Sequence, residues 1–313
     1  MFYTFYFQKI IHHKLNNTNL ILVIGIIMRY AIKFAYDGTQ FSGSQRQPNV
    51  KTVEGEIINC LANHQVFENL KEAKFQVASR TDVGVSALGN VFTITTKFQP
   101  KDLLNILNSK LPHCWFYGIT EVDSKFNPRF ANMRWYKYHL YNDPKFSNLP
   151  NIKFYGNDKT KFSNPVSVEK IQEAVALFQG SHDFKNFAKP NVDNTERTIE
   201  SITAVVAGDW IYIDLRAKSF LWHQVRRMVN SWILYAAGEL TFEMLADALN
   251  NPSTSKDFGV AAAEPLFLMD IEYNIDFEIN KQLMKNIYKA LINNWLDINL
   301  KKRMFDYLIE KIV

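Results

Sequence analysis

The stretch Ala78-Ser79-Arg80-Thr81-Asp82-Val83-Gly84-Val85-Ser86-Ala87 sets an arginine and an aspartate two residues apart, just after a short strand-like run at 75–79. A second strand pattern follows at 90–98, with Phe92, Ile94 and Phe98 on one side. A carboxylate on a loop between two strands is open to a ligand. Read alone, Asp-x-Gly is a turn, because both residue types suit turn geometry. The stretch therefore nominates Asp82 and Arg80 and leaves their role open.

Working outward, Tyr30, Ile32, Phe34 and Tyr36 alternate as in a strand that ends at Asp37-Gly38. Thr52 opens a helix with Val53, Ile57 and Leu61 on one face. A helix over 102–110 and strands over 115–122 and 134–141 complete the first half. A polar stretch, 142–166, reads as a loop or linker. The second half predicts a helix over 168–179 with Gly180 as its C-cap residue. A hairpin then turns on Gly208-Asp209, helices span 222–237 and 241–250, and a last strand covers 266–273. Helices mixed with hairpin-linked strands predict an α+β fold with largely antiparallel sheet. Residues 277–313 carry apolar positions spaced for two amphipathic helices, expected to cap the core.

The chain has 313 residues, 47% of them hydrophobic, enough for one large domain or two modest ones. With 21% charged residues it is not a disordered composition. Of the net charge of +5, residues 1–27 hold two and residues 277–313 hold three, so 28–276 are neutral. Any nucleic-acid surface must then come from charge segregated onto one face. Cys60 and Cys114 lie beside apolar residues with no metal-ligand spacing, which predicts buried, reduced thiols of a cytoplasmic protein. The apolar run 20–28 is far shorter than the ~20 residues of a membrane span. Residues 1–27 read as an extension dispensable to the fold.

With its neighbours, the opening stretch gains meaning. Ser-Arg-Thr-Asp-Val-Gly-Val-Ser-Ala resembles the signature of TruA-type tRNA pseudouridine synthases, the tRNA pseudouridine(38-40) synthase family. Tyr36-Asp37-Gly38-Thr39, Leu111-Pro112, Arg134-Trp135-Tyr136-Lys137-Tyr138 and His182-Asp183-Phe184 resemble further family segments, in order. So do Phe220 to Met228, with Val225-Arg226, and Ala262 to Leu268. The resemblance runs from about residue 28 to 273. It departs at Ser44, Ser79, Ser86 and Pro265, where Trp, Gly, His and Gly are usual.

The resemblance implies two α/β subdomains, 28–141 and 167–276, with largely antiparallel sheets forming a central RNA-binding cleft. It implies a uridine isomerase acting at positions 38, 39 and/or 40 of the tRNA anticodon arm, often as a homodimer. Asp82 would be the catalytic nucleophile and Arg226 its ion-pair partner from the second subdomain. Tyr136 would stack on the uracil and serve proton transfer, and Arg80 would aid phosphate binding or base extrusion. Neither metal nor other cofactor is required. Taken singly, Tyr136 reads as sheet packing, Arg226 as a solvated helix residue, and His182 and His223 as structural histidines. A non-catalytic RNA-binding or tRNA-chaperone protein of the same fold is the other reading. A methyltransferase or zinc deaminase lacks its glycine-rich loop or H-x-E…C-x-x-C pattern.

Overall fold

The computed structural model describes residues 27–142 and 166–312. The extension before Ile27 and nearly all of the 142–166 linker lie outside the described residues. Strand β1 (Met28–Tyr36) leads through a loop to α1 (Val53–Asn63). Thr52 caps that helix, its hydroxyl accepting from the Gly55 amide, an arrangement worth about 1 kcal/mol. Next come β2 (Gln76–Val77), β3 (Ser86–Thr96), α2 (Pro100–Lys110), β4 (Cys114–Glu121) and β5 (Met133–Tyr141). After the linker follow α3 (Val168–Leu177), β6 (Gly180–Asp183), β7 (Glu196–Ala207) and β8 (Trp210–Ala217). Helices α4 (Gln224–Ala236) and α5 (Phe242–Asn250), strands β9 (Leu266–Glu272) and β10 (Glu278–Ile279), and α6 (Lys281–Ile312) close the chain.

The strands form one ten-stranded sheet in the order β10-β4-β1-β3-β9-β5-β8-β7-β6, with β2 alongside β3. Its pairings are antiparallel except β3 with β9, where Ser86 lies opposite Phe267 and Ala87 opposite Leu268. This short parallel seam joins the early strands to the late ones. On its far side Leu268 lies opposite Tyr136, and Tyr136 opposite Leu215. One row across the sheet thus carries the strand leaving the Asp82 loop, then β9, then Tyr136. Strand β5, early in sequence, sits among the late strands.

Period-two alternation decides what the sheet buries. On β5 the residues Arg134, Tyr136, Tyr138 and Leu140 are buried, and their neighbours between are half-buried. Helix α2 packs on β4 and against α1, while α3 packs on β7 and against α4. The core of Phe34, Phe92 and Phe116 in the first group and Phe178, Phe187 and Trp232 in the second consists of aromatic rings in edge and stacked contact.

Several expectations shift. The strand expected at 75–79 shrinks to Gln76–Val77. Gly180 does not cap α3; Phe178 does, and Gly180, at φ +101°, opens β6 instead. Helix α4 starts at Gln224, two residues late, because His223 takes a left-handed φ of 65°. The largest correction concerns 277–313. The two expected helices are one helix of 32 residues, since no glycine or proline interrupts 281–312. Nor does it cap the core along its length: of its large apolar side chains, Leu283 and Ile287 are buried, whereas most beyond them are exposed.

Candidate active site

Asp82 sits where the chain leaves β2 and turns back into β3. The turn closes through the Val85 amide, which donates to the Asp82 carbonyl at 3.2 Å. Gly84 takes φ +86°, a conformation that favours glycine, and lies against Ala263 and Glu264. The loop is braced from three sides. The Ser44 hydroxyl accepts from the Thr81 amide at 2.6 Å and donates to the Thr81 carbonyl at 3.2 Å. Tyr36 and Thr81 share a hydroxyl–hydroxyl bond of 2.8 Å. The Ser86 hydroxyl accepts from the Gly38 amide at 3.0 Å.

The Asp82 carboxylate meets residues 140 and more positions away. Arg226 donates from Nη1 to Oδ2 at 2.7 Å, and from Nε to the Ala261 carbonyl at 2.8 Å. Two fixed acceptors on one guanidinium hold its plane in place. The Trp222 indole donates to Oδ1 at 3.2 Å, and His223 Nε2 lies 3.5 Å from the same oxygen. The left-handed turn at His223 makes this arrangement: it puts Trp222 and His223 before the first turn of α4 and Arg226 on it. Burial, Arg226, Arg227 and Lys189 lower the His223 pKa, against a raising effect of Asp82; burial is the largest cause.

Asp82, Arg80, Arg226, Tyr136 and Phe220 line a single cavity of about 750 Å³. Tyr136 is buried, with its ring edge-on to Phe220 at 5.3 Å. Burial pushes its phenol up to about 12, with Asp82 raising it further while Arg134 and Ser79 oppose. Beneath it, buried Arg134 donates to the Ser79 hydroxyl at 2.8 Å and to the Ala78, Arg129 and Lys218 carbonyls. Arg80 is exposed on the cavity wall, where Arg129 also lies.

The structure therefore gathers Asp82, Tyr136, Arg226 and Arg80 around one cavity. It also brings in His223, which its aromatic neighbours suggested was structural, and leaves out His182, whose ring meets the Gln179 carbonyl at 3.0 Å. Trp222 was missed. Its ring is also covered by the Lys189 ammonium at 3.4 Å from the centroid. Its place beside His223, four residues before Arg226, was the available signal. Among the described residues no three His, Cys, Asp or Glu side chains converge as metal ligands, and no helix is long and apolar enough to cross a membrane. Cys60 and Cys114 are free and buried.

A sequence model of the family described as tRNA pseudouridine synthase matches residues 174–274. A protein from Pyrococcus furiosus named tRNA pseudouridine synthase A is 36% identical over 86% of this chain and 92% of its own. The protein of the same name from Pyrococcus abyssi is 40% identical over 84% of this chain and 92% of its own. Its namesake from Methanosarcina barkeri is 36% identical over 80% and 87%. This chain belongs to the tRNA pseudouridine synthase family. Its departures from the family's usual residues have local roles here. Ser44 clamps Thr81, Ser86 ties β3 to the turn after β1, and Ser79 receives Arg134. The Pro265 carbonyl accepts from the backbone of His139. As a member of the pseudouridine synthase family, the protein is an isomerase of tRNA uridine.

Proposed function

We propose that this chain converts uridine to pseudouridine at one or more of positions 38, 39 and 40 in the tRNA anticodon arm, with Asp82 as nucleophile. The observation that carries the reading is the 2.7 Å pair between Asp82 and Arg226, 144 residues apart, on a cavity also lined by Tyr136. A uridine must leave its stack to enter such a pocket, at a cost of a few kcal/mol. In the reaction the N1–C1′ bond breaks, the uracil turns, and a C5–C1′ bond forms. C5 gives up a proton and N1 gains one, so the product is an isomer and no oxidant is consumed. Asp82 supplies the electron pair that forms the transient bond to the substrate. Arg226 balances that charge and fixes the direction of the carboxylate. Tyr136 remains a neutral phenol near pH 7, suited to stacking on the base and passing the C5 proton rather than acting as an anion. Arg80 and Arg129, at the cavity wall, suit the phosphates of the flanking nucleotides. The reading extends to a cytoplasmic homodimer; the free buried thiols agree with a reducing compartment.

The test is pseudouridine mapping on unmodified tRNA incubated with the wild type and with Asp82→Ala. New pseudouridine at positions 38–40 with the wild type and none with the variant is expected. Equal tRNA binding by both proteins without conversion by either would replace the reading with a non-catalytic RNA-binding protein.

A further inference from the structure

Phe130 is 80% exposed, more than any other large apolar side chain among the described residues. It lies in the connection from β4 to β5, one residue after Arg129, which lines the catalytic cavity. Single exposed apolar side chains are common on protein surfaces. This one differs in that the backbone on both sides of it is fixed. The Asn127 side chain accepts from the Arg129 amide at 3.0 Å, and the Asn127 carbonyl accepts from the Phe130 amide at 3.1 Å. The Tyr273 hydroxyl donates to the Pro128 carbonyl, and buried Arg134 donates to the Arg129 carbonyl at 2.9 Å. On the other side Ala131 is 2% exposed, and the Asn132 amide donates to the Glu272 carbonyl at 2.9 Å. A turn anchored to the core on both flanks thus holds an aromatic ring in water and forgoes the gain of burying it.

We propose that Phe130 stacks on a nucleobase of the tRNA, the one next to the uridine drawn into the cavity. The inference rests on the functional reading above and adds a binding residue to it. Extracting a uridine from its stack leaves the neighbouring base with an uncovered face. An aromatic ring beside the cavity can cover that face, and it tolerates any base because every base has a π-face. The surroundings favour RNA over an apolar protein surface. The other exposed residues of the loop are Asp123, Ser124, Lys125, Arg129 and Asn132, so the ring stands alone in a polar setting of net positive charge. Arg129 beside it and Arg80 on the same cavity present cations to the phosphates on either side of such a base.

Filter binding and single-turnover conversion of unmodified tRNA by Phe130→Ala and Phe130→Trp test this. The side chain is exposed, so the Tm should not change in either variant. Phe130→Ala is expected to raise the Kd about tenfold with an unchanged slope of log Kd against log salt, and Phe130→Trp to keep the wild-type Kd. A tRNA with an abasic nucleotide beside the mapped uridine locates the contact. Removing the base that Phe130 covers should weaken the wild-type complex by the same factor and leave the Phe130→Ala complex unchanged. Additive losses from the two changes, on both sides of the uridine, would overturn the proposal. So would a Phe130→Ala variant that binds as the wild type does, or a loss of affinity with a shallower salt slope, which would show that Arg129 had moved instead. A wild type whose binding shows this dependence on Phe130 but that makes no pseudouridine would remove the functional reading and leave the stacking contact standing.

Discussion

At the scale of single residues, the guanidinium of Arg226 has two tasks: one nitrogen binds Asp82 and another the Ala261 carbonyl. A lysine can reach one of these acceptors but cannot reproduce the fixed fork. Arg226→Lys should therefore cut kcat by about 10- to 100-fold, a loss of roughly 1.4–2.7 kcal/mol of transition-state stabilisation, with the Kd for tRNA little changed. Tyr136→Phe keeps the ring and its contact with Phe220 but removes the proton, so kcat should fall by about 100- to 10,000-fold. Single-turnover conversion of tRNA checks both. His223 and His139 make a separate prediction. Burial is the main reason each has a pKa below 6.5. Below pH 6.5 the unfolded chain binds protons that the folded sites resist. Their contribution to stability is whole above that pH and is lost as the pH falls through the lower folded values. The Tm should drop between pH 7.5 and 5.5, and the drop should be smaller in His139→Gln/His223→Gln. An equal drop in that variant would show that other groups govern the window.

At the scale of elements, the site depends on how two short connections are held. One is the turn between β2 and β3, the other the entry to α4. Neither is a regular structure, so side chains must supply what backbone pairing does not. Ser44 is buried, and its hydroxyl pairs with both backbone polar groups of Thr81. Ser44→Ala leaves the Thr81 amide without that acceptor and should cost about 1–3 kcal/mol. Urea unfolding would read this as a lower midpoint with an unchanged slope. The entry to α4 works by a different device. A left-handed residue just before the helix swings Trp222 and His223 toward the carboxylate, and 3.6-residue periodicity then places Arg226 one turn along on the same side.

At the scale of the whole molecule, the proposed tRNA binding should draw on charge near the cavity rather than on net charge. Residues 28–276 are neutral in sum, yet Arg80, Arg129 and Lys189 all lie at or near the cavity. Each phosphate neutralised by such a cation releases counterions and steepens the salt dependence of affinity. Arg80→Ala and Arg129→Ala should each weaken binding across tRNA sequences and reduce the slope of log Kd against log salt by about 0.7–1. Filter binding from 50 to 200 mM salt measures this. A changed affinity with an unchanged slope would mean that the side chain does not meet a phosphate.

The features legible in the amino-acid sequence are local in origin. Alternation in β1 and β5, the Thr52 cap, the Gly208-Asp209 hairpin and the motif around Asp82 are all set by residues within a few positions of one another. Its family motifs also nominated Asp82, Tyr136 and Arg226, which the fold gathers around one cavity. Tertiary structure alone decided that Trp222 and His223 join the carboxylate, because a positive φ at a histidine leaves no periodic trace in sequence. It alone joined β3 to β9 in parallel, a pairing across some 180 residues that no local pattern encodes. It also left α6 uncovered. An amphipathic repeat specifies that a helix has an apolar side, but whether the chain's own core covers that side depends on where the helix leaves the sheet.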